Sequence, residues 1–302
     1  MKIAAVDVGS NAIRVSIAHA DMHAKTYTLV HEERHALRLG ADVFNTGFLS
    51  ETTLQAMTSC FLSIKALLKK HGVVRTYAVA TSAMREARNR DEAVERIFNI
   101  TGLLLHIIEG VEEARLGRLA LKSLADMLGN DVLLMDLGGG SLEISRGFDK
   151  PGVSFPLGSV RLLQKYPELK QAMSLENYRT IFESIDQTLR EQMHAHFDTT
   201  GVMQGVGMGG SFRYLGRALG TVVGTVPTVE CSKISVFTQS FCSVSYDERI
   251  KNYGLRADQA DVMAPALAVI VSICDIFKLN VLLVPDTGLR QGLLYDLLER
   301  GF

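Results

Sequence analysis

One pattern occurs twice in this chain, and it restricts the fold more than anything else in the sequence. Ile3–Val6 is a short apolar strand running into Asp7-Val8-Gly9-Ser10-Asn11, and the polar/apolar alternation of Arg14–Ala18 follows. Val132–Met135 likewise runs into Asp136-Leu137-Gly138-Gly139-Gly140-Ser141, and Leu142–Arg146 follows. Asp136 comes 129 residues after Asp7. A repeat of domain length indicates duplication of one α/β unit, because solenoid periods are only about 20–50 residues. The 302 residues accordingly divide into two domains, predicted at 1–125 and 126–302. The last helix, about 288–300, is free to pack back on the first domain. No linker is rich in Pro or Ser, so the junction near 125–130 reads as a close-packed hinge.

The elements around the repeat are predicted from periodicity. Tyr27–Leu37 makes a third strand of an antiparallel meander. Ser50 caps a helix whose Leu54, Met57, Phe61, Ile64, Leu67 and Leu68 recur at helical spacing, with Gly72 just past its end. Strands follow at Val73–Ala80 and Leu103–Ile108, and helices at Asp91–Asn99 and Val111–Met127. In the second half, Leu175–His196 is an amphipathic helix and Val202–Met208 a strand. Ala257–Lys278 is helical, kinked or divided at Pro265. Val281–Val284 is the last strand.

Composition limits the partners. Hydrophobic residues are 47% of the chain and charged residues 22%, so it can bury a large core. Lys and Arg number 32 against 33 Asp and Glu, a balance that excludes a general nucleic-acid-binding field. An anion site must then be local. The four cysteines show no metal spacing and read as reduced thiols of a cytoplasmic protein. No apolar run reaches the roughly 20 residues of a membrane span, and the N-terminus has no signal-peptide pattern.

The glycine turns carry the chemistry. A glycine-rich turn between strands lets backbone N–H groups converge on an anion, and Ser10 and Ser141 add hydroxyls. The Asp residues suit a cation bound to a phosphate. Either turn alone is weak evidence; their repetition favours the phosphate-binding reading. The third cluster, Gly205–Gly210 with Ser211, ends a strand and opens a helix. It reads equally as a tight turn or an anion site. Arg85 stands after a strand, where α/β sheets bind ligands. Glu109, Glu112 and Glu113 open a helix; the residues alone favour a helix-dipole role over a general base on water. The histidine spacings predict no zinc site.

Seven stretches in order resemble the exopolyphosphatase/guanosine pentaphosphate phosphohydrolase (Ppx/GppA) family. They are Ala5–Asn11, Ala80-Thr81-Ser82-Ala83-Met84-Arg85, Glu109–Leu116, Asp136–Glu143, Pro156–Leu162, Gly207–Ser211 and Gly288–Asp296. The resemblance implies two ribonuclease-H-like domains of the actin/Hsp70/sugar-kinase superfamily, an α/β fold with a cleft between the domains. It also implies that Glu113 activates the hydrolytic water and that Arg85 stabilises the transition state. Phosphate binding is expected at Gly9, Ser10, Asn11, Gly138, Gly139, Gly140, Ser141, Gly209, Gly210 and Ser211. Mg²⁺, with or without a monovalent cation, is expected at Asp136 and Glu143, with Asp7 added from the repeat. No organic cofactor is expected. Ala12, Ile13, Glu109, Val111, Leu142 and Gln291 depart from the family pattern. They remove no expected catalytic group but alter the lining on which substrate preference depends.

The expected activity is release of terminal orthophosphate from inorganic polyphosphate. The alternative is the 5′ γ-phosphate of guanosine pentaphosphate. Arg161, Lys165, Arg213 and Arg217 are available to line a channel for a longer anion. A superfamily kinase and a non-catalytic polyphosphate or nucleotide sensor are the readings from other classes. No nucleic-acid or membrane partner is expected, and a homodimer is a family-level expectation. Longer members carry a further C-terminal helical module, so relative preference for shorter polyphosphate is expected here.

Overall fold

The computed structural model describes residues 1–201, 204–224 and 226–300. The chain divides into two units, Met1–Ser123 with Thr287–Phe302, and Leu124–Asp286. The C-terminal segment thus counts with the first unit.

The first unit opens with the antiparallel strands β1 (Lys2–Val8), β2 (Ile13–Asp21) and β3 (Thr26–His35). Helices α1 (Leu39–Thr46) and α2 (Glu51–His71) follow, then β4 (Arg75–Ala80), α3 (Ser82–Glu86), α4 (Arg90–Thr101), β5 (Leu105–Ile107) and α5 (Gly110–Ala120). The sheet order is β3-β2-β1-β4-β5, with β1, β4 and β5 parallel. This meander followed by parallel strands is the ribonuclease-H-like arrangement. α2 shows how sequence sets an element. The Ser50 side chain accepts from the Thr53 N–H at 3.2 Å, satisfying one orphan donor of the first turn. Leu54, Met57, Phe61, Ile64 and Leu68 are buried along one face, each such side chain contributing about 1.5–3 kcal/mol.

The second unit repeats the plan. After α6 (Ala125–Leu128) come β6 (Val132–Leu137), β7 (Leu142–Arg146) and β8 (Val153–Phe155), again antiparallel. Then follow α7 (Ser159–Lys165), α8 (Leu175–His196), β9 (Gln204–Met208), α9 (Gly210–Leu219), β10 (Thr221–Val223) and β11 (Val226–Glu230). Helices α10 (Cys231–Cys242), α11 (Tyr246–Tyr253), α12 (Ala257–Ala260) and α13 (Met263–Phe277) lead to β12 (Val281–Leu283). The sheet order β8-β7-β6-β9-β12 matches the first sheet, with β11 and β10 added at its far edge. α14 (Leu289–Arg300) closes the chain against α5 and β1 of the first unit.

Several predicted elements are corrected. The predicted helix Val111–Met127 is interrupted. α5 stops at Ala120, a 3₁₀ turn covers Lys122–Leu124, and α6 follows, because the chain passes here from one unit to the other. Ala257–Lys278 is two helices divided at Asp261–Val262. Pro265 lies in the first turn of α13, where its missing N–H costs no helical bond. The predicted strand Val202–Met208 begins at Gln204; Val202 and Met203 lie outside the described residues.

Candidate active site

In the first unit, the carboxyl ends of the parallel strands come together. The Thr81 N–H donates to the Val8 carbonyl at 3.1 Å, and the Ile108 N–H to that of Ala80 at 3.0 Å. These bonds align the glycine loop after β1, the start of α3 and the segment leading into α5. The Gly9 N–H closes the loop onto the Ala12 carbonyl at 3.1 Å, and the Gly40 N–H of α1 holds the Ser10 carbonyl at 2.9 Å. The Ser10 hydroxyl is buried and has no hydrogen-bond partner among the described residues. An orphaned buried hydroxyl costs stability unless a ligand satisfies it. Asn11 is oriented by Arg38, whose Nε donates to Oδ1 at 2.6 Å.

Arg85 and Glu113 meet in the same unit. Arg85 Nη1 lies 3.5 Å from Glu113 Oε2 and donates to the Ile108 carbonyl at 2.6 Å. Both side chains are largely withdrawn from solvent, at 17% and 10% exposure. The guanidinium is therefore fixed by backbone on one side and faces the carboxylate on the other. Asp7 is paired with Arg14, its register partner on β2, at 3.3 Å.

The first two turns of α5 are tied to α14. Arg115 binds Glu112 through Nε and Nη2 at 2.7 and 2.8 Å, and reaches the buried Asp296 of α14 at 2.6 Å. Hydrogen bonds from Arg115 hold the Glu112 carboxyl below its ordinary range. Glu112 thus serves the packing of the helix, whereas its neighbour Glu113 turns to Arg85.

In the second unit, the Gly138 N–H closes onto the Ser141 carbonyl at 3.0 Å. This is the bond of Gly9 to Ala12, displaced by the same 129 residues as the sequence repeat. α7 then takes up the loop's carbonyls. Gly138 accepts from the Ser159 N–H at 3.1 Å, and Gly139 from those of Val160 and Arg161 at 2.8 and 3.2 Å. The Arg161 Nε donates to the Gly140 carbonyl at 3.0 Å. The N–H groups of Gly139 and Gly140 have no acceptor among the described residues. Such unpaired amides in one glycine loop suit an anion. The close approach needs Gly158, where a Cβ would lie 2.3 Å from the Gly140 nitrogen.

Asp136 and Glu143 are register partners on β6 and β7, so their side chains share one sheet face. Glu143 is buried and accepts from the Ser154 hydroxyl at 2.6 Å. Gly209 adopts φ +101°, reserved for glycine, and a Cβ there would press on the Leu137 carbonyl at 2.6 Å. The second unit therefore brings Gly209 beside Asp136. Gly210 and Ser211 open α9, and Arg213 of that helix lies 3.7 Å from Asp286. Mg²⁺ is usually bound by one or two carboxylates together with water and substrate phosphates. The Asp136–Glu143 pair fits that requirement. Asp7 fits it less well, since Arg14 already offsets its charge. No cluster of three His, Cys, Asp or Glu suited to a metal occurs among the described residues.

Sequence reasoning missed Arg14, Arg38, Ser154 and the function of α7 as a brace. The repeat held a signal for the first, because Arg14 stands where Glu143 stands in the second copy. No helix among the described residues is long and apolar enough to cross a membrane.

Comparison with known proteins agrees with this architecture. Exopolyphosphatase 1 of Mycobacterium leprae is 30% identical over 169 residues, covering 55% of this chain and 50% of the relative. The match thus spans about half the length of that relative. Guanosine-5′-triphosphate,3′-diphosphate pyrophosphatase of Aliivibrio fischeri is 24% identical over 302 residues, covering 98% of this chain and 59% of the relative. The crystal structure of an exopolyphosphatase from Cytophaga hutchinsonii superposes with a TM-score of 0.88 at 22% identity, covering 100% of this chain and 99% of that one. That superposition establishes the actin-like, duplicated ribonuclease-H-like fold. A sequence model of the Ppx/GppA phosphatase family matches residues 16–301. With paired glycine loops at equivalent places in two related units and a family match over nearly its whole length, the chain belongs to the Ppx/GppA phosphatase family.

Proposed function

We propose that this chain is an exopolyphosphatase, releasing terminal orthophosphate from inorganic polyphosphate by attack of water. The observation that carries the reading is the glycine loop repeated in both units, closed by the same N–H to C=O bond at Gly9 and Gly138. Each loop is suited to phosphate oxygens, through Gly9, Ser10 and Asn11 in one and Gly138, Gly139, Gly140 and Ser141 in the other. Gly209, Gly210 and Ser211 extend the second.

Glu113 is the proposed general base. It takes a proton from water as the new P–O bond forms and the terminal phosphoanhydride bond breaks. The leaving chain departs with the electron pair of the broken bond. Arg85 orients Glu113 and offsets charge on the transferring phosphoryl group, whose transition state is loose. Asp136 and Glu143 would hold Mg²⁺, which when bound neutralises charge on the phosphate chain. Removing a general base costs about 10²–10⁴-fold, or roughly 3–5 kcal/mol of barrier.

Guanosine pentaphosphate is the second substrate reading. It is favoured by alignment of nearly the whole chain with the Aliivibrio relative. Both substrates present the same terminal phosphoanhydride. Phosphate release should be measured side by side on long polyphosphate, short polyphosphate and guanosine pentaphosphate. The proposal expects release from polyphosphate, with the short chains handled relatively well. Turnover of guanosine pentaphosphate alone would move the assignment to the second reading, and release from none would overturn both.

A further inference from the structure

We propose that Arg290 is a positioning residue for the first glycine loop: by occupying Glu32, it leaves Arg14 to Asp7 beside Gly9. All of these groups lie within the first unit. The sheet register sets them on one face. Asp7 pairs with Arg14 across β1 and β2, and Ser16 pairs with Glu32 across β2 and β3. Arg14 and Ser16 are two residues apart on β2, so their side chains point the same way. Arg14 and Glu32 are then diagonal neighbours, a spacing that long side chains span.

α14 packs on this face through Leu289 and Leu293, in one apolar cluster with Ile3, Ala5 and Ala18. From its first turn Arg290 reaches the sheet. Its Nη1 donates to Glu32 Oε1 at 2.7 Å and to the Ser16 hydroxyl at 2.8 Å, and that hydroxyl donates to the same Glu32 oxygen at 2.9 Å. The Arg290 side chain is 14% exposed. Burial holds its pKa below the ordinary arginine value; the Glu32 charge opposes that shift and the Arg14 charge adds to it. Arg14 thus stands within electrostatic reach of the Arg290–Glu32 pair.

Two arginines here serve two carboxylates. Arg14 Nη1 lies 3.3 Å from Asp7 Oδ2, and both groups flank the loop. A Cβ on Gly9 would lie 3.7 Å from Arg14 Nη1 and 3.8 Å from Asp7 Oδ1. Without Arg290, Glu32 keeps its charge and loses its cation. Arg14 is drawn to it across the strand pair, and Asp7 is left uncompensated beside the loop. A bare carboxylate there repels a phosphate chain. The effect on KM rests on the phosphate-binding reading of the Gly9 loop; the exchange of ion pairs does not.

The test compares the full chain with Arg290→Met and with the double variant Arg290→Met/Glu32→Gln, by crystal structure and by polyphosphate kinetics. In Arg290→Met, Arg14 should turn from Asp7 to Glu32, and KM for polyphosphate should rise at least threefold with kcat changed less than twofold. In the double variant, Glu32 no longer carries a charge to attract Arg14. Arg14 should return to Asp7 and KM to near the parental value. A mere packing role for Arg290 would not be rescued in this way, since both variants carry the same methionine. Arg290→Gln keeps a polar end at Ser16 and should behave as Arg290→Met does, so the test does not hang on the folding of one variant. Arg14 still bound to Asp7 in these single variants, with Glu32 in solvent or taken by Arg34, overturns the proposal. A raised KM that the double variant does not restore overturns it as well. The exchange as expected with unchanged KM overturns its effect on the loop. The exchange as expected in a chain that hydrolyses no polyphosphate overturns the proposed activity and leaves the ion-pair arrangement standing.

Discussion

Arg85 Nη1 lies 3.5 Å from Glu113 Oε2 while the same nitrogen donates to the Ile108 carbonyl at 2.6 Å. One guanidinium thus links the last turn of α3, the residue just after β5 and the carboxylate on α5. Arg85→Lys keeps the positive charge but loses the rigid guanidinium whose Nη1 makes both contacts. Phosphate release should fall roughly 10²-fold, chiefly in kcat, with a circular dichroism spectrum like that of the parent. A fall confined to KM would show that Arg85 binds substrate without acting in the transition state.

Gly158 is where α7 comes closest to the second glycine loop. An added Cβ would lie 2.3 Å from the Gly140 nitrogen, and its neighbours there are backbone, which cannot swing aside. Gly158→Ala should therefore cost about 1–3 kcal/mol of stability, read from the urea midpoint. KM for polyphosphate should also rise, because the displaced loop carries the Gly139 and Gly140 N–H groups.

Ser50 provides the complementary case, far in the chain from any proposed ligand group. Its side chain caps α2 through the Thr53 N–H. Ser50→Ala should cost about 1 kcal/mol of stability. Specific activity of the folded protein should not change, so the pair of variants separates stability from function.

The acid limb of stability has a defined contributor in Glu112. Hydrogen bonds from Arg115 hold its carboxyl below the ordinary value of 4.5. A carboxylate depressed in the folded state binds protons more weakly there than in the unfolded chain. Its contribution is present above pH 4.5 and is lost as pH falls through the lower folded value. Glu112→Gln should flatten this part of the stability profile, measured as urea midpoints across the acid range.

Much of the fold was legible because local and global signals agreed. The strand–Asp-x-Gly–strand repeat predicted duplication, and the loop bonds of Gly9 and Gly138 follow the same spacing. Ser50 and Gly72 marked both ends of α2, with Gly72 at φ +66°. What failed to show depends on partners distant in sequence. Nothing between Val111 and Met127 breaks the helical pattern, yet the chain leaves one unit there and the helix ends at Ala120. α7 is too short for a periodic signal, and its value lies in carbonyls about twenty residues earlier. Glu112 and Glu113 were indistinguishable as first-turn acids. Only the placement of Arg115 and Arg85 around α5 separates a packing carboxylate from a candidate base.

The central claim is that Glu113 removes the proton from the attacking water. Phosphate release and polyphosphate binding should be measured together on Glu113→Gln, which keeps the shape of the side chain and removes its basicity. The account predicts a loss of about 10²–10⁴-fold in kcat with polyphosphate still bound. Release at the parental rate by a variant that binds polyphosphate normally would contradict it.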